Sequence, residues 1–190
     1  MTATTTPTTP TIPGLVPGVW AIDPVHSDVS FTVRHMMVSK VRGSFKSFDG
    51  EIVVGDDVVD SSVIATVDVA SFDTGNAERD AHIRSADFLD LEQHPTMTYR
   101  STGIRPDGDD YVVDGELTLH GVTRPVALAL EVGGVTTDPY GKARLGLSAT
   151  TEINRRDFGI DISMPMEAGG VVVGDKVKIT LDIEATHPTS

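Results

Sequence analysis

Asp28-Val29-Ser30-Phe31-Thr32-Val33-Arg34-His35, residues 28–35, is the stretch whose reading decides the fold. Successive side chains of an extended chain leave on opposite faces, so Val29, Phe31, Val33 and His35 fall on one side and Ser30, Thr32 and Arg34 on the other. One face is apolar, with a histidine at its end. The pattern recurs where Tyr111, Val113, Gly115, Leu117 and Leu119 alternate with Val112, Asp114, Glu116 and Thr118. It recurs again where Val177, Ile179, Leu181 and Ile183 alternate with Lys178, Thr180, Asp182 and Glu184. Further strands are expected over 43–55, 61–70, 96–104, 124–132 and 143–153. Turns are marked by Gly55-Asp56-Asp57, Pro106-Asp107-Gly108 and Asp138-Pro139-Tyr140-Gly141.

Eight or nine strands result, with no long helix between them to make parallel crossovers. Sequential strands therefore pair as antiparallel meanders, and closure into a barrel removes exposed edges. A sandwich is the competing architecture. The interval from Asn76 to Gln93 lacks the alternation, and its short helical faces place one or two short helices beside the barrel mouth. The fold class is all-β.

Composition narrows the function. The chain has 190 residues, 39% of them hydrophobic, which suits one domain with a sizeable core. Its 28 acidic and 15 basic residues give a net charge of −13, so the averaged field repels nucleic acid and anionic membrane surfaces. The absence of cysteine excludes disulfides, thiolate nucleophiles and Cys-ligated metals. No stretch approaches the roughly 18–20 apolar residues of a membrane-spanning helix, so the chain does not read as membrane-integral. Residues 1–18 are Thr/Pro-rich and too poor in large apolar side chains to offset the entropy of ordering; they read as a flexible tail ahead of a barrel domain over 19–186. That N-terminus has neither the basic segment nor the apolar core of a secretory signal, and a cytoplasmic location is the expectation.

A barrel of about eight strands has an interior that side chains can fill or that encloses one ligand. Aromatics are only 5% of the chain, and Val, Ala, Leu, Gly and Met dominate the inward positions, which favours a cavity over a packed lumen. The segments WAIDPVHSDVSFTVRH, VRGSFKSFDGEI, RDAHIRSADFLDLEQHPTMTY, VDGELTLHGVTRPV and RRDFGI occur in that order from about Trp20 to Ala185. In this order and spacing they resemble the YceI-like polyisoprenoid-binding family. The resemblance implies an extended, eight-stranded antiparallel lipocalin-like barrel that carries an isoprenoid chain in its lumen, with no catalytic set and no obligatory metal or cofactor. Phe88-Leu89-Asp90 and His94-Pro95 depart from the family pattern, in which a further aromatic residue is common, so chain length or head-group preference can differ.

Phe31, Val33, Met97, Tyr99, Leu145, Leu147 and Ile160 are candidates to line an apolar tunnel, each of them equally explicable as barrel core. Phe45 and Phe48 flank a turn-to-strand segment where they can cover one end of the lumen. His35 can hydrogen-bond a ligand oxygen, since neutral imidazole costs less to bury than a charge. The segment Arg79-Asp80-Ala81-His82-Ile83-Arg84 concentrates positive charge that suits a pyrophosphate head group; a solvated helix face is the alternative. His82 and Ile83 within it, and Phe88 farther along the Asn76–Gln93 interval, are candidate ligand contacts. In Asn154-Arg155-Arg156-Asp157-Phe158-Gly159, an ion pair anchoring a bend competes with a head-group contact from Arg155 or Asp157, and Phe158 beside them is a further ligand-binding candidate.

His26-Ser27-Asp28 has the side-chain types of a hydrolase, but strand neighbours point to opposite faces and cannot form the relay. The six histidines show no familiar zinc spacing, and no metal site is expected. Binding, storage or transport of a long apolar lipid, polyprenyl or quinone-like, is the leading expectation. A lipid hydrolase or isomerase, and a filled barrel serving as a protein-interaction module, are the rivals. A homodimer is compatible with the sequence but not required by it.

Overall fold

A computed structural model describes residues 11–36, 38–162 and 173–188. Along them run β1 (Gly18–Ile22), β2 (Asp28–His35), β3 (Ser39–Phe45), β4 (Phe48–Val54), β5 (Ser62–Asp68), β6 (Phe72–Asp73) and α1 (Ala77–Arg84). Then follow β7 (Thr96–Asp107), β8 (Asp110–Leu119), β9 (Val122–Pro125), β10 (Leu128–Thr137), β11 (Ala143–Asn154) and β12 (Val173–Thr186). The longer strands form one antiparallel ring. β1 and β2 lie end to end along one edge of β12, β3 and β4 end to end along β2 and β1, and β9 and β10 end to end along β8. The staves are therefore β1/β2, β3/β4, β5, β7, β8, β9/β10, β11 and β12, and the β1–β12 pairing closes the eight-stave barrel. The sandwich alternative falls, because the sheet joins its own first stave.

Two segments expected as continuous strands are broken, each for a visible reason. Over 43–55 the chain kinks at Lys46-Ser47, since Phe45 and Phe48 both face inward and an unbroken strand would send residues three apart to opposite faces. Over 124–132 the ladder stops at Pro125, which has no N–H to donate, and resumes at Leu128. The turn expected over Pro106-Asp107-Gly108 falls at Gly108-Asp109, with Pro106 and Asp107 still in β7. In the expected Asp138–Gly141 turn Asp138 Oδ1 accepts from the Tyr140 and Lys142 amides, and Gly141 takes the left-handed backbone, with φ of 83°, that a side chain would resist.

The two ends of the barrel differ. One is closed by Trp20 and Ala185, both fully buried, packed with Ile52, Val54 and Leu145. Leu15 also packs there, so the end of the Thr/Pro-rich stretch lies against the barrel, and Val16 O accepts the Trp20 indole N–H at 3.0 Å. The flexible-tail expectation for residues 1–10 lies outside the described residues. At this end Arg144 donates to Asp23 (2.9 Å), Asp138 (3.0 Å) and Glu184 (3.1 Å), tying three chain segments together. The other end carries α1, the β2–β3 and β8–β9 turns and the 3₁₀ turn Arg155–Phe158.

Candidate functional site: an apolar lumen

The alternating faces read from the sequence converge on a lumen of about 350 Å³. Its wall is almost wholly apolar because every stave contributes only its inward residues. β2 supplies Val29, Phe31 and Val33; β12 supplies Val177, Ile179, Leu181 and Ile183; β5 supplies Val63, Ala65 and Val67. Phe31 stacks on Phe72 with ring centroids 5.2 Å apart, and Phe45 meets the same ring edge-on at 5.6 Å. Gly43 makes this possible, since a Cβ there would lie 2.3 Å from Phe31 Cζ.

Among the polar side chains of the wall, Tyr99, Arg79 and Arg155 are held by hydrogen bonds. Tyr99 Oη donates to Val126 O at 2.9 Å, and burial pushes its phenol up to about 12. At the α1 end the wall reaches His35, Arg79 and Arg155. Arg79 donates from Nε to Thr74 Oγ1 (2.8 Å) and from Nη2 to Thr74 O (3.1 Å). The buried Asp80 accepts from the Thr74 amide and hydroxyl, so this short helix is pinned by polar contacts, with Asn76 capping it through the Arg79 amide at 3.0 Å. Only Ile83 of the helix points into the lumen together with Arg79.

Arg155 is 4% exposed and is the most heavily committed cation of the site. It donates to Ile160 O (2.6 Å), Gly174 O (3.1 Å) and Val173 O (3.4 Å), and pairs with Asp175 at 3.2 Å. Burial pushes its guanidinium down, and the Asp175 charge opposes that shift. The bend after β11 is therefore held by Arg155, with Asp175, rather than its neighbour Asp157, as the ionic partner. Gly159, in left-handed backbone with φ of 73°, ends the 3₁₀ turn.

Of the residues singled out from the sequence, Phe31, Val33, His35, Phe45, Phe48, Ile83, Phe88, Met97, Tyr99, Leu147, Arg155 and Ile160 all border this lumen. The other four are not in its wall. His82 faces outward and contacts Asp87 at 3.0 Å; Asp157 is exposed, and its carbonyl accepts from Arg124. Leu145 belongs to the Trp20 cluster at the closed end, and Phe158, 1% exposed, packs behind the wall against Leu117 and Leu119. The β5 and β12 residues were not named as lumen candidates, although the alternation of β12 is as plain as that of β2. Only ring closure shows that those faces look into the same space.

The His26-Ser27-Asp28 run makes no relay. His26 contacts Asp23 at 2.7 Å, and Ser27 Oγ accepts the Glu184 amide at 3.0 Å, both toward the closed end.

A family model described as YceI-like domain matches residues 20–185. The chain belongs to the YceI-like family. Protein YceI of Escherichia coli is 41% identical over 136 residues, 71% of each chain. A UPF0312 protein of Vibrio cholerae is 41% identical over 139 residues, 72% of this chain and 74% of its own. Among solved structures, BcnA of Burkholderia cenocepacia superposes on this YceI-like chain with a TM-score of 0.74 at 26% identity, covering 87% of this chain and 99% of its own. A polyisoprenoid binding domain from Saccharophagus degradans, implicated in plant cell wall breakdown, superposes with a TM-score of 0.68, covering 91% and 100%. Its 16% identity makes that likeness one of fold. Among the described residues of the YceI-like barrel no helix is long and apolar enough to cross a membrane.

Proposed function

We propose that this protein holds a long apolar lipid of isoprenoid type in the barrel lumen, with the polar end of the lipid toward His35, Arg79 and Arg155. The observation that carries the reading is the lumen itself: about 350 Å³ enclosed by an apolar wall inside a closed ring. Such a space favours hydrocarbon over water, because water there finds too few hydrogen-bonding partners. Each methylene transferred contributes about 0.8 kcal/mol. A buried segment of about fifteen carbons thus gives roughly 12 kcal/mol gross, and an association cost of about 4 kcal/mol, the low end of its range, leaves about 8 kcal/mol, or micromolar binding at best.

The name of the Saccharophagus degradans domain supports an isoprenoid over other apolar chains. The asymmetry of the lumen supports the orientation, since toward the closed end it is bounded by the apolar Trp20 cluster, while at the α1 end its wall includes His35, Arg79 and Arg155. A hydrolase built on Ser27 and His26 is disfavoured, because these side chains hold backbone and Asp23 away from the lumen. Storage or transport follows as the use of such binding.

Native mass spectrometry of freshly purified protein, followed by organic extraction, tests the reading. A stoichiometric prenyl lipid released from the protein is the expected result. Protein that carries no lipid and takes up neither prenols nor prenyl quinones when offered them overturns it.

A further inference from the structure

We infer a divalent transition-metal site, of the kind that suits Zn²⁺, built by Asp90, His94 and His120 at the α1 end of the barrel. One donor atom from each lies within 4.8 Å of the others, and all three residues are half-buried. The site joins two separate pieces of chain. Asp90 and His94 lie in the segment between α1 and β7, where Asp90 O accepts the His94 amide at 2.8 Å and so sets the two side chains one turn apart. His120 stands in the β8–β9 turn, with its ring centroid 5.0 Å from that of His94.

The donor chemistry is in order before any ion arrives. His120 Nδ1 faces Phe158 O at 3.0 Å, and a carbonyl can only accept, so Nδ1 is the nitrogen that donates and the neutral ring offers its lone pair at Nε2. A backbone carbonyl on the far nitrogen is the arrangement that orients a metal-binding imidazole and raises its basicity. Neither the Asp90 carboxylate nor the His94 ring has a hydrogen-bond or ion-pair partner among the described residues, so nothing competes for their lone pairs. Gly121 gives the His94 ring its space, since a Cβ there would lie 2.6 Å from His94 Cε1. Asp90 (φ 51°) and His120 (φ 54°) are two of the three non-glycine residues with left-handed backbone among the described residues.

Two imidazoles and one carboxylate match the ligand types of Zn²⁺, with a fourth position left for water or a ligand oxygen. Bonds of about 2.0–2.1 Å require the donors to close by side-chain rotations on the order of an ångström. The second group of metal-binding types, Asp23, His26 and Glu184, is not equivalent. There Arg144 Nη1 sits 2.9 Å from Asp23 and 3.1 Å from Glu184, so a guanidinium already holds the place of the cation.

The site has a structural consequence. Phe88 and Leu89, immediately before Asp90, border the lumen, as does Leu119 beside His120. An ion bridging the two segments clasps the chain that follows α1 to the β8–β9 turn.

Cobalt substitutes for zinc and reports its own coordination, so the test is titration of metal-free full-length protein with Co²⁺, then Zn²⁺. One equivalent of Co²⁺ with visible absorption of four-coordinate intensity, displaced by Zn²⁺, is expected. His94→Gln and Asp90→Asn should each weaken Zn²⁺ binding at least tenfold, because neither side chain supports the fold through a hydrogen bond; Asn also accepts left-handed backbone. His26→Gln should leave binding unchanged. The wild-type melting temperature should rise by several degrees in excess Zn²⁺, and this rise should vanish in His94→Gln. Absence of stoichiometric Co²⁺ and Zn²⁺ uptake, or uptake unaltered by His94→Gln and Asp90→Asn, overturns the site. Neither result depends on which lipid fills the lumen.

Discussion

Replacing Ala149 with Phe asks whether the lumen is a binding site at all. Ala149 is 7% exposed, borders the lumen from β11 and packs beside Val113 and Leu128. A phenyl ring added there occupies the space of about six ligand carbons, which removes roughly 5 kcal/mol of gross transfer energy. A flexible chain recovers part of that by bending or by withdrawing toward the opening. A net loss of roughly 2–3 kcal/mol, or about a 30- to 150-fold rise in Kd for a prenyl ligand, is therefore expected. Stability should hardly change, because the ring enters existing space rather than a filled core, whose overpacking typically costs about 1–3 kcal/mol. Equilibrium titration with a fluorescent prenyl analogue, paired with thermal melting, checks both halves. Unchanged affinity in a variant that melts with the wild type would show that the ligand does not pass Ala149 and would refute the lumen argument. Ala149→Leu, with fewer added carbons, should give a smaller loss of the same sign.

Arg155→Met keeps the aliphatic stem but strands three carbonyls and Asp175, and should cost roughly 3–5 kcal/mol, seen as a fall in urea midpoint at unchanged slope. Asp23 is held at about 2, chiefly by its contact with His26 and further by Arg144 against the opposing effect of burial. A folded-state value below the unfolded one adds stability above about pH 4, which is lost as the pH falls toward about 2. Chemical denaturation across that window should show the loss in the wild type and a flatter profile in Asp23→Asn. Gly115→Ala should lower the melting temperature, since its Cβ would lie 2.4 Å from Tyr99 Oη and 2.7 Å from Arg100 O. Tyr99→Phe, which removes the donor to Val126 O without any clash, should cost only about 1–2 kcal/mol by the same melting assay.

The alternation in 28–35, 111–119 and 177–183 was enough to specify strands, their inward faces and the turn positions, because backbone stereochemistry fixes a period of two wherever one face is buried. It left eight or nine strands open, and ring closure makes eight staves. What alternation cannot encode is height along the barrel axis. Leu145 and Leu147 occupy the same face of one strand, yet Leu145 plugs the closed end with Trp20 while Leu147 borders the lumen. Nor does it encode orientation on a helix of eight residues, where His82 turns outward and Ile83 inward. The kink at Lys46-Ser47 needed the knowledge that Phe45 and Phe48 share an interior. Local spacing also concealed the grouping of Asp90 and His94 with His120, since the third donor arrives from a turn 26 residues farther on that only strand pairing brings alongside. Sequence thus determined which side chains face inward, through rules that act between neighbours; closure of the ring decided which of them meet, because that depends on contacts between residues far apart in the chain.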